Sequence, residues 1–110
     1  MQLRAENWGE ATIIHAEGER IDAAGALLFK ENILALAENA APRIILDLAQ
    51  VGFLDSSGLG AIVAVMKMLA PARRLELAAL TPPVERVFRL TRMDSVFVLH
   101  DALPARQPLP

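Results

Sequence analysis

The sequence predicts an α/β fold: a mixed β-sheet flanked by helices, in the order β-β-α-β-α-β-α-β. Three observations lead there. Short runs of branched apolar residues such as Ile44-Ile45-Leu46 lie between chain breakers at strand length. Two longer stretches, about 23–40 and 58–69, read as helices. The two kinds alternate along the chain, as they do in βαβ units built on a partly parallel sheet. At 110 residues, 54% of them hydrophobic, the chain can form one core and is too short for two.

The first elements are a pair of strands. Stretches 3–8 and 11–16 flank the turn-like pair Gly9-Glu10, and the second contains the β-branched run Thr12-Ile13-Ile14, so a hairpin is expected. Gly18 breaks the pattern, and Glu19-Arg20-Ile21-Asp22 leads into a helix. There Ala26, Phe29, Ile33, Leu36 and Ala40 recur at spacings of three and four, while Glu31, Asn32, Glu38 and Asn39 fall on the opposite side. The helix is expected over about 23–40, with Asp22 as its N-cap and Pro42 as its stop.

Stretch 44–48 follows as a strand in the middle of the sheet, then Val51-Gly52-Phe53-Leu54. Just past that strand comes Asp55-Ser56-Ser57-Gly58-Leu59-Gly60, in the place where open α/β sheets put functional residues. The helix after it has Lys67 as its only charge from 56 to 72. Such a helix is either wrapped on all sides or exposes apolar surface to a partner, and Gly58, Gly60, Ala61 and Ala64 can lie exposed at little cost. Stretch 75–80 reads as a strand, and Thr81-Pro82-Pro83 as a helix start. Val84, Val87, Phe88 and Thr91 form one face of that helix, with Arg86 and Arg89 on the other. A last strand is expected over 95–100, and the stretch from Leu103, with three prolines in eight residues, is expected to be irregular or disordered.

Composition excludes several functions. Cysteine is absent, so no disulfide framework, thiolate zinc site or intrinsic redox chemistry is expected. A formal charge of −2, with no cationic cluster beyond Arg73-Arg74, offers no footprint for nucleic acid or an anionic membrane. No apolar run reaches the length of a membrane span, and Met1-Gln2-Leu3-Arg4-Ala5-Glu6 lacks a signal-peptide pattern, so a soluble cytoplasmic protein without direct membrane insertion is expected. His15 and His100 are isolated, and neither a metal site nor a cofactor is expected.

The hexapeptide concentrates what chemistry there is. Small hydroxyl residues at a helix start cap free N–H groups, and glycines admit the close approach of another molecule's backbone or phosphates. A phosphate on Ser57 would lie near the N–H groups of Gly58, Leu59 and Gly60 at the positive end of the helix. Asp55 is expected to cap the helix and to help position a reacting hydroxyl, Asp22 to cap first and to contact a partner second, and Asp47 to play a hydrogen-bonding structural role. A small serine hydrolase using Ser57 is disfavoured, because the pattern is not Gly-x-Ser-x-Gly and neither histidine is paired with an acid in sequence. No Walker-type phosphate loop is present.

Ile45-Leu46-Asp47-Leu48, Val51, Phe53-Leu54 and Asp55-Ser56-Ser57-Gly58-Leu59-Gly60 together resemble the STAS domain, and most closely the bacterial anti-sigma-factor antagonists. Glu17-Gly18-Glu19 with Asp22 is similar to the family's second strand and following loop, with one residue more between Glu19 and Asp22 than the common pattern. Thr81-Pro82-Pro83-Val84 with Val87-Phe88 is similar to its third helix. The likeness spans about 3–103, in a domain expected over 1–103, and leaves 104–110 as a proline-rich tail where the family often adds a helix.

The resemblance implies a non-enzymatic partner switch. Its unphosphorylated form would bind an anti-sigma factor that is itself a serine kinase, freeing the sigma factor, and phosphorylation would end binding. The implied acceptor is Ser57, with Ser56 the alternative, and the ATP and Mg²⁺ would belong to the kinase. The implied docking surface is Asp22, Asp55, Ser56, Ser57, Gly58, Leu59, Gly60, Ala61, Ala64, Lys67 and Met68, and a phosphatase would be a further partner. The alternative within the family is a scaffold STAS subunit of a stress-signalling or membrane transport complex.

Overall fold

The computed structural model describes residues 1–105. Seven strands and three α-helices occur in the order β1 (Gln2–Trp8), β2 (Ala11–Glu17), β3 (Arg20–Ile21), α1 (Ala26–Ala37), β4 (Arg43–Asp47), β5 (Phe53–Leu54), α2 (Ser56–Leu69), β6 (Arg74–Ala78), α3 (Pro82–Leu90) and β7 (Leu99–His100). A five-stranded sheet runs β1-β2-β4-β6-β7, antiparallel only between β1 and β2, with β4 at its centre as its branched apolar sequence predicts. The β1–β2 turn uses Gly9 at a φ of 70°, a conformation glycine reaches without a Cβ penalty.

A second sheet of two parallel strands, β3 with β5, was not expected from the sequence. Each strand is two residues long, below the length at which a period of two can be read. Arg20 pairs with Phe53 and Ile21 with Leu54, which brings the segment before α1 alongside the segment before α2.

Strand alternation gives the large sheet two different faces. On one, Ile14, Ile44, Leu46 and Leu77 pack with Phe29 and Ile33 of α1, Ile62 and Val65 of α2, and Val84 and Phe88 of α3 in one apolar cluster. On the other, Ala11, Ile13, Ile45 and Ala78 form a small cluster against which Trp8 and Leu103 pack. Around it lie two polar groups. His15 bonds Asp47 through Nδ1 (2.7 Å) and Glu6 through Nε2 (2.9 Å). Glu76, 1% exposed, accepts from Arg43 Nε, whose N–H is shared between both carboxylate oxygens (3.1 Å each), from Arg43 Nη2 (3.0 Å), from Arg74 Nε (2.8 Å) and from His100 Nε2 (2.7 Å). Burial alone pushes Glu76 up, but hydrogen bonds from Arg43 and His100 and the charges of Arg43 and Arg74 overcome it and bring it down to about 2. The same contacts raise Arg43 above its ordinary value, the Glu76 hydrogen bond foremost.

Several boundaries depart from the sequence reading. Helix α1 starts at Ala26 with Gly25 as its N-cap, so Asp22 does not cap it. The Gly25 N–H closes a turn onto the Asp22 carbonyl (3.1 Å), while the Asp22 carboxylate takes a hydrogen bond from Arg20 Nε (3.1 Å). Helix α1 also ends at Ala37, before the expected 40, where the Ala40 N–H turns back to the Ala37 carbonyl (3.1 Å). Strand β6 stops at Ala78 because Ala79 takes a φ of 60°, which no strand accommodates.

Thr81 precedes α3 as expected, yet its hydroxyl donates to the Val51 carbonyl (2.6 Å) in place of capping. Thr91, placed on the apolar face of α3, is exposed and donates to the Val87 carbonyl (2.7 Å). The expected strand 95–100 is mostly something else: Met93–Ser95 is a 3-10 turn, and only Leu99–His100 is strand. Phe97 explains the break, since its N–H bonds Met93 O (3.0 Å) and its ring turns inward edge-on to Phe88 at 5.7 Å. From Leu103 to Ala105 the chain has no regular structure, as expected, but Leu103 is packed onto the sheet; the rest of the predicted tail, 106–110, lies outside the described residues.

Candidate functional site

The site is assembled at the N-terminus of α2, and Asp55 holds it together. Its extended backbone (φ −99°, ψ −176°) leaves the side chain free to reach forward, where Oδ1 accepts the Gly58 N–H (2.8 Å) as an N-cap. Oδ2 accepts the Ala23 N–H (3.0 Å) from the turn before α1. The Asp55 carbonyl accepts the Leu59 N–H (2.9 Å), and its own N–H reaches the Ile21 carbonyl (3.3 Å). The Gly58 N–H, foremost, lowers the Asp55 carboxyl below the usual aspartate range; burial opposes it, and the Ala23 and Ser57 N–H groups and the Arg20 charge assist. Asp55 is therefore ionised and occupied on both oxygens.

That arrangement revises one expectation. The Gly58 and Leu59 N–H groups, read from sequence as free for a phosphate, are already bonded to Asp55. The role of Gly58 changes too. A Cβ there would strike the Ile21 carbonyl oxygen and lie 2.8 Å from both Ile21 C and Leu54 Cδ1, so the backbone it admits is this chain's own. At Gly60 a Cβ would meet nothing within 4 Å.

Ser56 and Ser57 open α2, and both are exposed with no hydrogen bond on either hydroxyl among the described residues. Of the other expected surface residues, Gly60, Lys67 and Met68 are exposed, Asp22, Leu59 and Ala64 are half-buried, and Gly58 and Ala61 are buried. Gly58 and Ala61 thus shape the site without presenting much surface. Ser57, Gly60, Ala61, Ala64, Lys67 and Met68 share one stripe of the helix, with Lys67 about 15 Å along the axis from Ser57. The two alternatives for α2 resolve into both: Ile62, Val65 and Leu69 face the core, while the opposite side presents small residues and Met68, 61% exposed.

A shallow groove of about 230 Å³ runs between α1 and α2, walled by Ala26, Leu27 and Lys30 on one side and Ser57, Gly60, Ala61 and Ala64 on the other. Around it lie residues the sequence reading did not place at the site. Leu27 and Leu28 of α1 are 63% and 61% exposed, and Phe53 is exposed beneath the Arg20 guanidinium, 4.1 Å from the ring centroid. The two leucines fall off the stripe of Ala26, Phe29 and Ile33, which is the signal that could have found them; the Arg20–Phe53 stack has none, because it needs β3 to pair with β5.

Neither histidine stands at Ser57. His15 and His100 project from the opposite sheet face, bonded to Asp47, Glu6 and Glu76, and the Asp47 carboxylate also accepts the Ala49 N–H (3.0 Å). Asp47 thus has the hydrogen-bonding structural role the sequence predicts for it. Among the described residues no helix is long and apolar enough to cross a membrane.

Comparison with known proteins places this geometry. The crystal structure of an anti-sigma factor antagonist from Mycobacterium paratuberculosis is similar at a TM-score of 0.82 and 26% identity, over 93% of this chain and 86% of that one. A putative anti-sigma factor antagonist from Thermotoga maritima is similar at 0.81 and 25% identity, over 92% and 87%. The Bacillus cell fate determinant SpoIIAA, in its phosphorylated form, is similar at 0.63 and 25% identity, over 89% and 90%. A family model, the STAS domain, matches residues 2–105. With that match spanning nearly all of the chain, and with the mixed sheet and three helices of anti-sigma-factor antagonists, this protein belongs to the STAS domain family.

Proposed function

We propose that the protein is an anti-sigma-factor antagonist whose binding is switched at Ser57. The observation that carries the reading is the exposed, unbonded Ser57 hydroxyl on a helix start capped and tied to the turn before α1 by Asp55, beside a groove and exposed apolar side chains that suit a docking partner. In the transfer, the Ser57 Oγ–P bond forms as the bond from the γ-phosphorus of ATP to its bridging oxygen breaks. ADP leaves, and the hydroxyl proton passes to a base supplied by the kinase, since the N–H groups bonded to Asp55 lower its carboxyl and make it a poor base. The unphosphorylated chain binds the anti-sigma factor through Asp22, the α2 stripe and the groove, and a phosphatase restores that form.

Phosphorylation adds roughly −1.5 to −2 charges, which must be desolvated in an interface that includes Leu27, Gly60 and Ala64 and that already holds the Asp55 carboxylate. The fold survives, because Ser57 is exposed, while partner affinity falls.

Incubation with the cognate anti-sigma kinase and ATP, read by intact mass, tests the reading. A single added phosphate that disappears in Ser57→Ala and persists in Ser56→Ala supports it. Transfer to Ser56, or no transfer from any kinase encoded nearby, removes Ser57 as the acceptor. Full-strength kinase binding by a folded Ser57→Asp variant would remove the electrostatic part of the mechanism.

A further inference from the structure

A phosphoryl group on Ser57 meets a helix start that is already capped. The N–H groups of Gly58 and Leu59 are consumed by Asp55, whose ionised carboxylate stands two residues away. The group therefore sits beside a fixed negative charge, with two of the backbone donors nearest it already taken. A cationic side chain within reach of it would favour its fully charged form.

Three cations are in or near the stripe. The Arg20 guanidinium is committed to the Asp22 carboxylate and the Phe53 ring. Lys67 lies three turns along α2, about 15 Å away. Lys30 walls the same groove as Ser57, from the facing helix. It is half-buried and, among the described residues, makes no ion pair or side-chain hydrogen bond. Its ammonium sits on a flexible four-carbon stem, while Gly60 and Ala64 leave the floor between the helices low enough for that stem to lie across it.

We propose that Lys30 is the internal counter-ion of phosphorylated Ser57, its ammonium crossing the groove between α1 and α2 to pair with the phosphoryl oxygens. The proposal rests on Ser57 being the phosphoacceptor and names what the fold does with the phosphate once it is there. In the unphosphorylated chain Lys30 is open to an acidic partner group; pairing with the phosphate withdraws it. Modification thus removes a positive contact as well as adding a negative one.

The test does not need the kinase. Phosphoserine is installed at position 57 during synthesis, and its second ionisation, ordinarily near pH ~6, is followed by phosphorus NMR in the otherwise wild-type chain and in Lys30→Met, Lys30→Gln, Lys30→Arg and Lys67→Met. A cation beside the phosphate favours the dianion and lowers that midpoint. It is expected to rise by roughly half a pH unit in Lys30→Met and Lys30→Gln, the effect of one charge about 5 Å away in water, and to stay low in Lys30→Arg and Lys67→Met. Identical midpoints in the parent and the two neutral Lys30 variants overturn the proposal. An equal rise in Lys67→Met overturns it too, because the effect is then a general field. Failure of the kinase to modify Ser57 refutes the acceptor reading without altering this titration, so the two can fail separately.

Discussion

The Asp55 carboxylate and the Ala23 N–H, 32 residues apart in sequence, are joined by a 3.0 Å hydrogen bond. Its other oxygen caps α2 at Gly58, so one side chain fastens the turn before α1 to the start of α2, next to the groove that Ser57 lines. The same bond helps keep residues 23–25 out of the helix that their sequence would extend.

Asp55→Asn separates these two duties, because an amide has only one acceptor oxygen. Hydrogen exchange at the Ala23 amide should accelerate in Asp55→Asn while Gly58 stays protected, and both should accelerate in Asp55→Ala together with a lower Tm. Simultaneous, equal deprotection in Asp55→Asn would show that the two bonds are not independent.

Gly58 and Gly60 should respond oppositely to alanine. At Gly58 the new methyl collides with Ile21 backbone, and Gly58→Ala is expected to cost about 1–3 kcal/mol in urea unfolding. At Gly60 there is open space on a helix, and Gly60→Ala is expected to stabilise the fold by about 0.5–1 kcal/mol through the lower conformational entropy of the unfolded chain.

Acid should find Glu76. Its carboxyl lies at about 2 in the fold against an ordinary 4.5, so the folded state holds fewer protons and the stabilisation is fully present above pH 4.5. That contribution is lost as pH falls from 4.5 through about 2, and at about 1.36 kcal/mol per pH unit the interval amounts to about 3 kcal/mol. Urea unfolding between pH 6 and 2 should therefore lose a component of about that size, absent in Glu76→Gln.

His15 stands between Asp47 and Glu6 on the same buried face. Removing its ring in His15→Ala leaves the two carboxylates facing each other across a cavity and is expected to cost about 1–3 kcal/mol in chemical unfolding. Phosphate transfer to Ser57 by the folded variant should be unchanged, since the ring is on the opposite sheet face; a parallel loss of transfer would connect this cluster to the switch.

The sequence by itself determined what depends on local pattern. The hairpin at Gly9, the central strand at Ile44 to Leu46, the helix opened by Pro82-Pro83 and the junction at Asp55 to Gly60 follow from periodicity, branching and breakers within a few residues of one another. The resemblance carried by that junction points to the family whose model matches residues 2–105. The last strand was misread because Val96-Phe97-Val98-Leu99 satisfies strand propensity while Phe97 gains more by burying its ring against Phe88.

Tertiary structure alone decided how the site is held and what surrounds it. Two-residue strands carry no periodic signal, so only the folded chain pairs Arg20-Ile21 with Phe53-Leu54 and brings Ala23 within reach of Asp55. Whether Gly58 meets a ligand or Ile21, and whether its N–H is free or taken, is a question of which distant group arrives first. The facing of Lys30 toward Ser57 depends on how α1 docks against α2. Spacing within one helix fixes which of its residues share a face; packing between helices fixes what that face meets.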